Sequence, residues 1–300
     1  MTPWTRQNPL EKLSSNGRAI ALMVLSTILI AGMHVLIREV SADMPPIQIA
    51  FFRNFFGGIV FIPIIARNGF GFLKTNRFPM HCTRAVVNMA AMFAFFTALS
   101  IAPVARVTAI GFSAPIFAAV LSALILHEKF RLRRWTAIVL GFLGTLVILR
   151  PGIVPLDLGS LLVVFSAAMW GITLIIIKIL SRTESSLTIT GYMTLLLSIL
   201  SAGPAYYVWQ TPSIESLGWL VAIAILGTLG QITMTESLKG AETTVVMPFD
   251  FLKLIWVAML GYMLFAEVPD FYTWLGAGIV FSSSFYLAYR ESRMSAREEP

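Results

Sequence analysis

The chain reads as an all-α membrane protein: ten transmembrane helices built as two inverted five-helix repeats. Three observations predict this. Of 300 residues, 57% are apolar and 12% charged, and the mean hydropathy is +0.81; a soluble domain carries about 25% charged residues. Ten apolar stretches lie near 19–40, 48–66, 82–101, 104–126, 135–150, 158–180, 188–208, 216–238, 243–265 and 271–290. The chain also echoes itself at an offset of 139 positions, where Gly32 meets Gly171, Leu99 meets Leu238, Ala102 meets Ala241, Glu128 meets Glu267 and Trp135 meets Trp274.

Each stretch is read as a helix because lipid offers no partner to a backbone amide, so a span must satisfy its own hydrogen bonds. A β-barrel would need alternating ten-residue strands instead. Turns rich in proline, glycine or charge separate the spans, among them Asp43-Met-Pro-Pro46, Ile101-Ala-Pro103, Arg150-Pro-Gly152 and Lys239-Gly240. Residues 1–17 are polar and lack an apolar signal core, so no cleavable leader is expected. The expected organisation is a cytoplasmic segment 1–17, a first repeat 18–150, a second repeat 157–290 and a cytoplasmic tail 291–300.

Basic residues orient the spans. With the N-terminus inside, 17 of the 22 Lys and Arg residues fall on the inner side and only Arg38, Arg106 and Arg150 on the outer, leaving Arg53 and Lys253 within spans. Both termini are therefore predicted to be cytoplasmic. The net charge of +7 belongs to these loops, so nucleic acid is not an expected partner. Five spans is an odd number, so the second repeat enters the membrane upside down. The loops agree: His127-Glu-Lys-Phe-Arg-Leu-Arg-Arg134 is strongly basic, and its counterpart Ala266-Glu-Val-Pro-Asp-Phe-Tyr-Thr273 has no basic residue. Inverted repeats are a recurring plan of secondary transporters, whose halves rock around a site near the midplane.

Charges inside spans mark where that site would be. Asp250 and Lys253 sit in the middle of the ninth span, where each charge costs roughly 2.5–3.5 kcal/mol on insertion scales. Spacing of i, i+3 puts them on one helix face, where they neutralise each other. They are either a structural pair or a substrate- or proton-handling one. Their repeat partners are Gly111 and Ala114, beside Pro115, small residues that leave room for a ligand or for close helix packing. His34, toward the outer end of the first span, is either a hydrogen-bonded core histidine or a substrate contact. Arg53 either snorkels to the headgroups or binds an anionic group in an outer vestibule.

Nearer the inner side, Arg84 is read as a positive-inside anchor. Asn88 and Gln231 are uncharged amides needing partners, which a cavity supplies, and Glu236 is close enough to the cytoplasm to be solvated. Trp170 is read as packing or as an aromatic wall for a planar substrate. Glu128 and Glu267 close corresponding spans at opposite faces and are expected to orient loops or cap neighbouring helix N-termini. Gly141, Gly144, Gly276 and Gly278 offer close-packing surfaces that could pair two copies as a homodimer.

A single Cys82 excludes a disulfide framework, and three scattered histidines offer no metal cluster. No phosphate-binding loop, HExxH or GxSxG pattern occurs, so neither direct ATP use nor those hydrolase chemistries is expected; no cofactor or metal is implied. A membrane-embedded enzyme and a channel are the alternatives to a transporter.

The segments Ala102–Phe117, Leu126–Trp135 and Gly141-Phe-Leu-Gly144, with their weaker echo at Gly240–Val246, Leu264–Asp270 and Trp274–Gly278, resemble the drug/metabolite transporter superfamily in its ten-helix EamA-type branch. The resemblance extends from about Gly17 to Arg290. It implies a central cavity lined mainly by spans 1, 3, 4, 6, 8 and 9, with spans 5 and 10 peripheral. Relatives of this layout carry amino acids, S-adenosylmethionine, riboflavin, nucleobase-like compounds or organic acids. The expectation is a secondary transporter of a small polar or amphipathic metabolite in a bacterial inner membrane. A proton, riding on Asp250, Glu236 or His34, or a counter-solute is a candidate coupling partner.

Overall fold

The computed structural model describes residues 15–125, 132–150, 157–180, 183–240, 246 and 249–298. They form helices α1 (Ser15–Val40), α2 (Pro46–Gly57), α3 (Ile62–Asn68), α4 (Phe78–Ile101), α5 (Val104–Gly111) and α6 (Ala114–Ile125). The second half holds α7 (Leu132–Leu149), α8 (Leu158–Leu180), α9 (Ser186–Tyr207), α10 (Ile214–Gly240), α11 (Leu252–Phe265) and α12 (Phe271–Glu298). No strand occurs among the described residues. Among the described residues five helices are long and apolar enough to cross a bilayer, α1, α4, α8, α9 and α10, and there are shorter apolar helices besides. Exposed Leu, Ile and Phe side chains cover the outside of α7, α8 and α9, as a lipid-facing surface requires.

Helix ends repeat along the chain as the sequence does. Ile101 and Gly240, which end α4 and α10, are 139 positions apart, and so are Leu132 and Phe271, which begin α7 and α12. Earlier in each half the separation is 140, between Val40 and Leu180 and between Pro46 and Ser186. A residue is therefore absorbed in the second span, where α2 passes through a 3-10 turn (Gly58–Phe61) into α3. Pro63 lies in the first turn of α3, and a proline has no N–H to continue the ladder.

Packing follows a pseudo-two-fold. Helix α1 packs on α10, and its equivalent α8 packs on α4; α2 meets α9 and α7 meets α12 across the axis. Matching hydrogen bonds accompany these pairs. Ser26 Oγ donates to the Gly230 carbonyl at 2.8 Å, and Ser166 Oγ donates to the Ala91 carbonyl at 2.7 Å. A hydroxyl that reaches a neighbouring helix in this way holds the two without leaving a polar group in lipid.

Spans 4 and 9 depart from the continuous helices expected near 104–126 and 243–265. The α-helical pattern of span 4 stops at Gly111 and restarts at Ala114. Pro115 explains the stop, because the Gly111 carbonyl loses the N–H donor that residue 115 would supply. Span 9 has a turn at Phe251, between helical residues 249–250 and α11. Helix α12 runs on to Glu298, so the stretch from 291 continues a helix. Gly141, Gly144 and Gly276 are used inside the chain: a methyl on Gly276 would stand 2.5 Å from the Gly144 carbonyl oxygen, so α7 and α12 touch backbone to backbone.

Candidate functional site

The two interrupted spans meet at their interruptions. Phe112 lies in the break of span 4 and Phe251 in the break of span 9, and their rings are 5.4 Å apart, centroid to centroid. Both residues keep a nearly helical backbone, φ −64°, ψ −9° at Phe112 and φ −65°, ψ −22° at Phe251. Each break is thus a kink rather than a loop. Such kinks recur where transporter helices line a binding site.

Asp250 and Lys253 flank the second kink. Lys253 Nζ lies 3.3 Å from both carboxylate oxygens of Asp250 and 4.7 Å from the centroid of Phe112. The ammonium is thus shared between a carboxylate and an aromatic face, an arrangement that gains strength where water is scarce. Trp256, one turn further along α11, has a buried Nε1 with no partner among the described residues.

His34 of α1 completes the cluster. Its Nδ1 is 3.4 Å from Thr108 Oγ1 of α5, and its ring is 5.0 Å from Phe95 of α4. Phe95 in turn covers Gly111, where an added methyl would stand 3.4 Å from its ring. Ala114 is buried at the start of α6. The site therefore draws α1, α4 and α5 from the first half and α11 from the second, with apolar and aromatic walls around a few polar groups, as small-molecule sites are built.

A model of the EamA-like transporter family matches residues 17–150 and again 157–289. The chain belongs to the EamA-like transporter family. Its relatives include an S-adenosylmethionine uptake transporter of Rickettsia felis, 28% identical over 93% of this chain and 95% of that protein. A riboflavin transporter of Brucella anthropi is 28% identical over 84% of this chain and 91% of its own. The pseudopaline exporter of Pseudomonas aeruginosa is 25% identical over 87% and 92%. One solved crystal structure, 18% identical, matches with a TM-score of 0.64 over 90% of this chain and 97% of its own, which speaks for the fold alone. The EamA-like chain is accordingly a multi-pass membrane protein of the drug/metabolite transporter superfamily.

Other residues singled out in this EamA-like sequence lie apart from the cluster. Arg53 of α2 is buried at 9% exposure and donates to Asn54 Oδ1 at 2.8 Å; it faces the protein interior rather than the headgroups. Asn88 is buried on α4, while Gln231 on α10 and Trp170 on α8 are half-buried; none of the three bonds its side chain to the cluster among the described residues. Glu236 is exposed near the end of α10. Arg84 donates to the Ile189 carbonyl at 2.8 Å and to Met193 Sδ, which joins α4 to α9. Glu128 lies outside the described residues.

Hydrogen bonds and ion pairs join the two repeats at both ends of the bundle. At the end remote from the termini, Glu267 accepts from the Val104 N–H at the start of α5, 2.9 Å, and pairs with Arg38 of α1 at 3.6 Å. Ala266 adopts φ 54° to turn the chain there. Arg106 pairs with Asp157 at 3.1 Å, and Arg150 pairs with Asp270. At the terminal end, Glu184 accepts from Thr75 Oγ1 at 2.5 Å and faces His81 Nε2 at 3.7 Å, while Tyr192 stacks on His81 and donates to the Leu73 carbonyl.

The sequence points to Asp250, Lys253 and His34 but not to Phe95, Thr108, Phe112, Phe251 or Trp256. Aromatic residues are ordinary in a span, so composition does not flag them. The repeat offset does, because Phe112 and Phe251 are 139 positions apart.

Proposed function

We propose that this EamA-like chain is a secondary transporter that moves a small polar or amphipathic organic metabolite across the bacterial inner membrane by alternating access. Its termini are cytoplasmic, and its halves rock about the Phe112–Phe251 seam. The observation that carries this reading is the convergence of two pseudo-symmetric kinked spans on a Lys253–Asp250 pair, His34 and an aromatic wall. The relatives' names, an S-adenosylmethionine uptake transporter, a riboflavin transporter and a pseudopaline exporter, support a small organic metabolite as the cargo. Lys253, Asp250, His34 and Trp256 contact the substrate, and the ties at the two ends open in turn.

Uptake of radiolabelled candidates of this kind into proteoliposomes tests it. The expected result is flux that saturates with solute concentration and is lost in the double variant D250N/K253M, which removes both charges together and so leaves neither one unpaired. Flux that never saturates would make the protein a channel. Chemical turnover of the solute would make it an enzyme.

A further inference from the structure

Building on that transport reading, we infer that Arg53 is the anion subsite of the binding cavity, so that the carried molecule bears a carboxylate at one end. Arg53 is buried within the bundle, yet no carboxylate lies within 4 Å of it among the described residues. A guanidinium offers five N–H donors. Among the described residues only the one to Asn54 Oδ1 is engaged, at 2.8 Å. Leaving a charge buried without a counter-charge is among the costliest arrangements in a membrane protein, and it persists where function requires it.

Asn54 is itself fixed from two sides. Its amide donates to the Ala50 carbonyl at 2.8 Å and to Met92 Sδ of α4, which presents Oδ1 to Arg53 and aims the guanidinium. The other flank is Gly227 of α10. A methyl there would meet Met33 Sδ first, at 2.5 Å, and would stand 3.1 Å from Arg53 Nε and 3.4 Å from its second terminal nitrogen, so the fork packs closely against that helix. Nε and that nitrogen bond no described group. The Nε edge of the fork therefore carries donors that no described group engages.

Arg53 is connected to the Lys253 cluster through α4. Asn54 touches Met92, and Phe95, one turn further along α4, covers His34 and Gly111. Residues i and i+3 on a helix are neighbours on one face. One face of α4 thus runs from Asn54, the partner of Arg53, to His34. Lys253 is neutralised by Asp250, Arg84 is bonded to the Ile189 carbonyl and Met193 Sδ, and Arg53 has no carboxylate within 4 Å among the described residues. A planar carboxylate fits the fork by two parallel hydrogen bonds.

The test uses the full chain in detergent and in proteoliposomes. Melting is followed with L-methionine, L-glutamate, succinate, S-adenosylmethionine, riboflavin and methyl phosphate, and each stabilising carboxylate is repeated as its methyl ester. The expected result is stabilisation by carboxylates only, loss of the shift on esterification, at least tenfold weaker binding in R53Q and partial retention in R53K. Stabilisation by riboflavin or methyl phosphate but by no carboxylate overturns the inference. So does an ester that binds like its acid, unchanged binding in R53Q, or no response to any carboxylate. Saturable uptake of riboflavin that R53Q leaves intact would sink the Arg53 assignment while the transport reading stands.

Discussion

Phe112 and Phe251, 139 positions apart in the chain, face each other at 5.4 Å where their two spans kink. Two residues related by the repeat can touch only close to the pseudo-two-fold axis, so this contact locates the axis inside the candidate site. The polar groups around it are not symmetric: Asp250 and Lys253 on one side correspond to Gly111 and Ala114 on the other.

The contact is expected to couple the halves energetically. In a double-variant cycle, F112A and F251A should show a coupling of about 0.5–1.5 kcal/mol, the usual worth of an aromatic pair beyond its area. Detergent-dependent unfolding measures it. Strict additivity would mean that the rings are neighbours without energetic consequence.

Arg38 and Glu267 tie α1 to the loop before α12, and Glu267 also holds the start of α5. On a C82S background with a reporter cysteine at Thr108, E267Q should speed alkylation several-fold from the side remote from the termini. R38Q should do the same, and the two together should add little. Equal labelling in all variants would show that this tie does not hold that end shut.

Close packing of α7 on α12 predicts a sharp difference between two glycines. G276A places a methyl 2.5 Å from the Gly144 carbonyl oxygen and from Ile148 Cγ1, and overpacking of this kind costs about 1–3 kcal/mol. Gly278 has open space at the same distance, so G278A should leave the melting temperature nearly unchanged. Similar shifts for the two would contradict the backbone contact.

The loop carboxylates set an acid limit. Burial would raise the Asp157 carboxyl, but hydrogen bonds from Ser160 and the nearby Arg106 outweigh it and hold it below its ordinary value of 3.8. Asp270 is lowered likewise, with burial outweighed by Thr273 and Arg150. A lowered folded value means that the stabilisation is present above pH 3.8 and disappears as pH falls through the folded values. Both side chains are about 40% exposed, so screening keeps each contribution at about 1 kcal/mol or less. D157N and D270N should flatten the loss of stability below pH 4 and leave its behaviour above pH 5 unchanged. An equally steep acid loss in both variants would assign it to other groups.

Much of the architecture was legible from the chain. Apolar runs between charged turns marked the spans, because an unpaired backbone amide in lipid is too costly for anything but a helix. The repeat offset and the charges of the loops implied an inverted second half. Asp250, Lys253 and His34 stood out because ionisable groups are rare within spans. Interruptions did not stand out in the same way: hydropathy averages over a window and passes across the Gly111–Ala114 and Phe251 breaks.

By itself the sequence determined what must be buried in lipid, how many times the chain crosses and which charges are misplaced in a span. These follow from transfer energies that each residue carries wherever it lies. Only the tertiary structure decided which of those charges meet. It brought Lys253 over Phe112, gave Arg84 a carbonyl to bond, and turned Arg53 inward against Gly227 without a counter-charge among the described residues. Such partnerships depend on helix rotation and on contacts between residues far apart in the chain, to which hydropathy is blind.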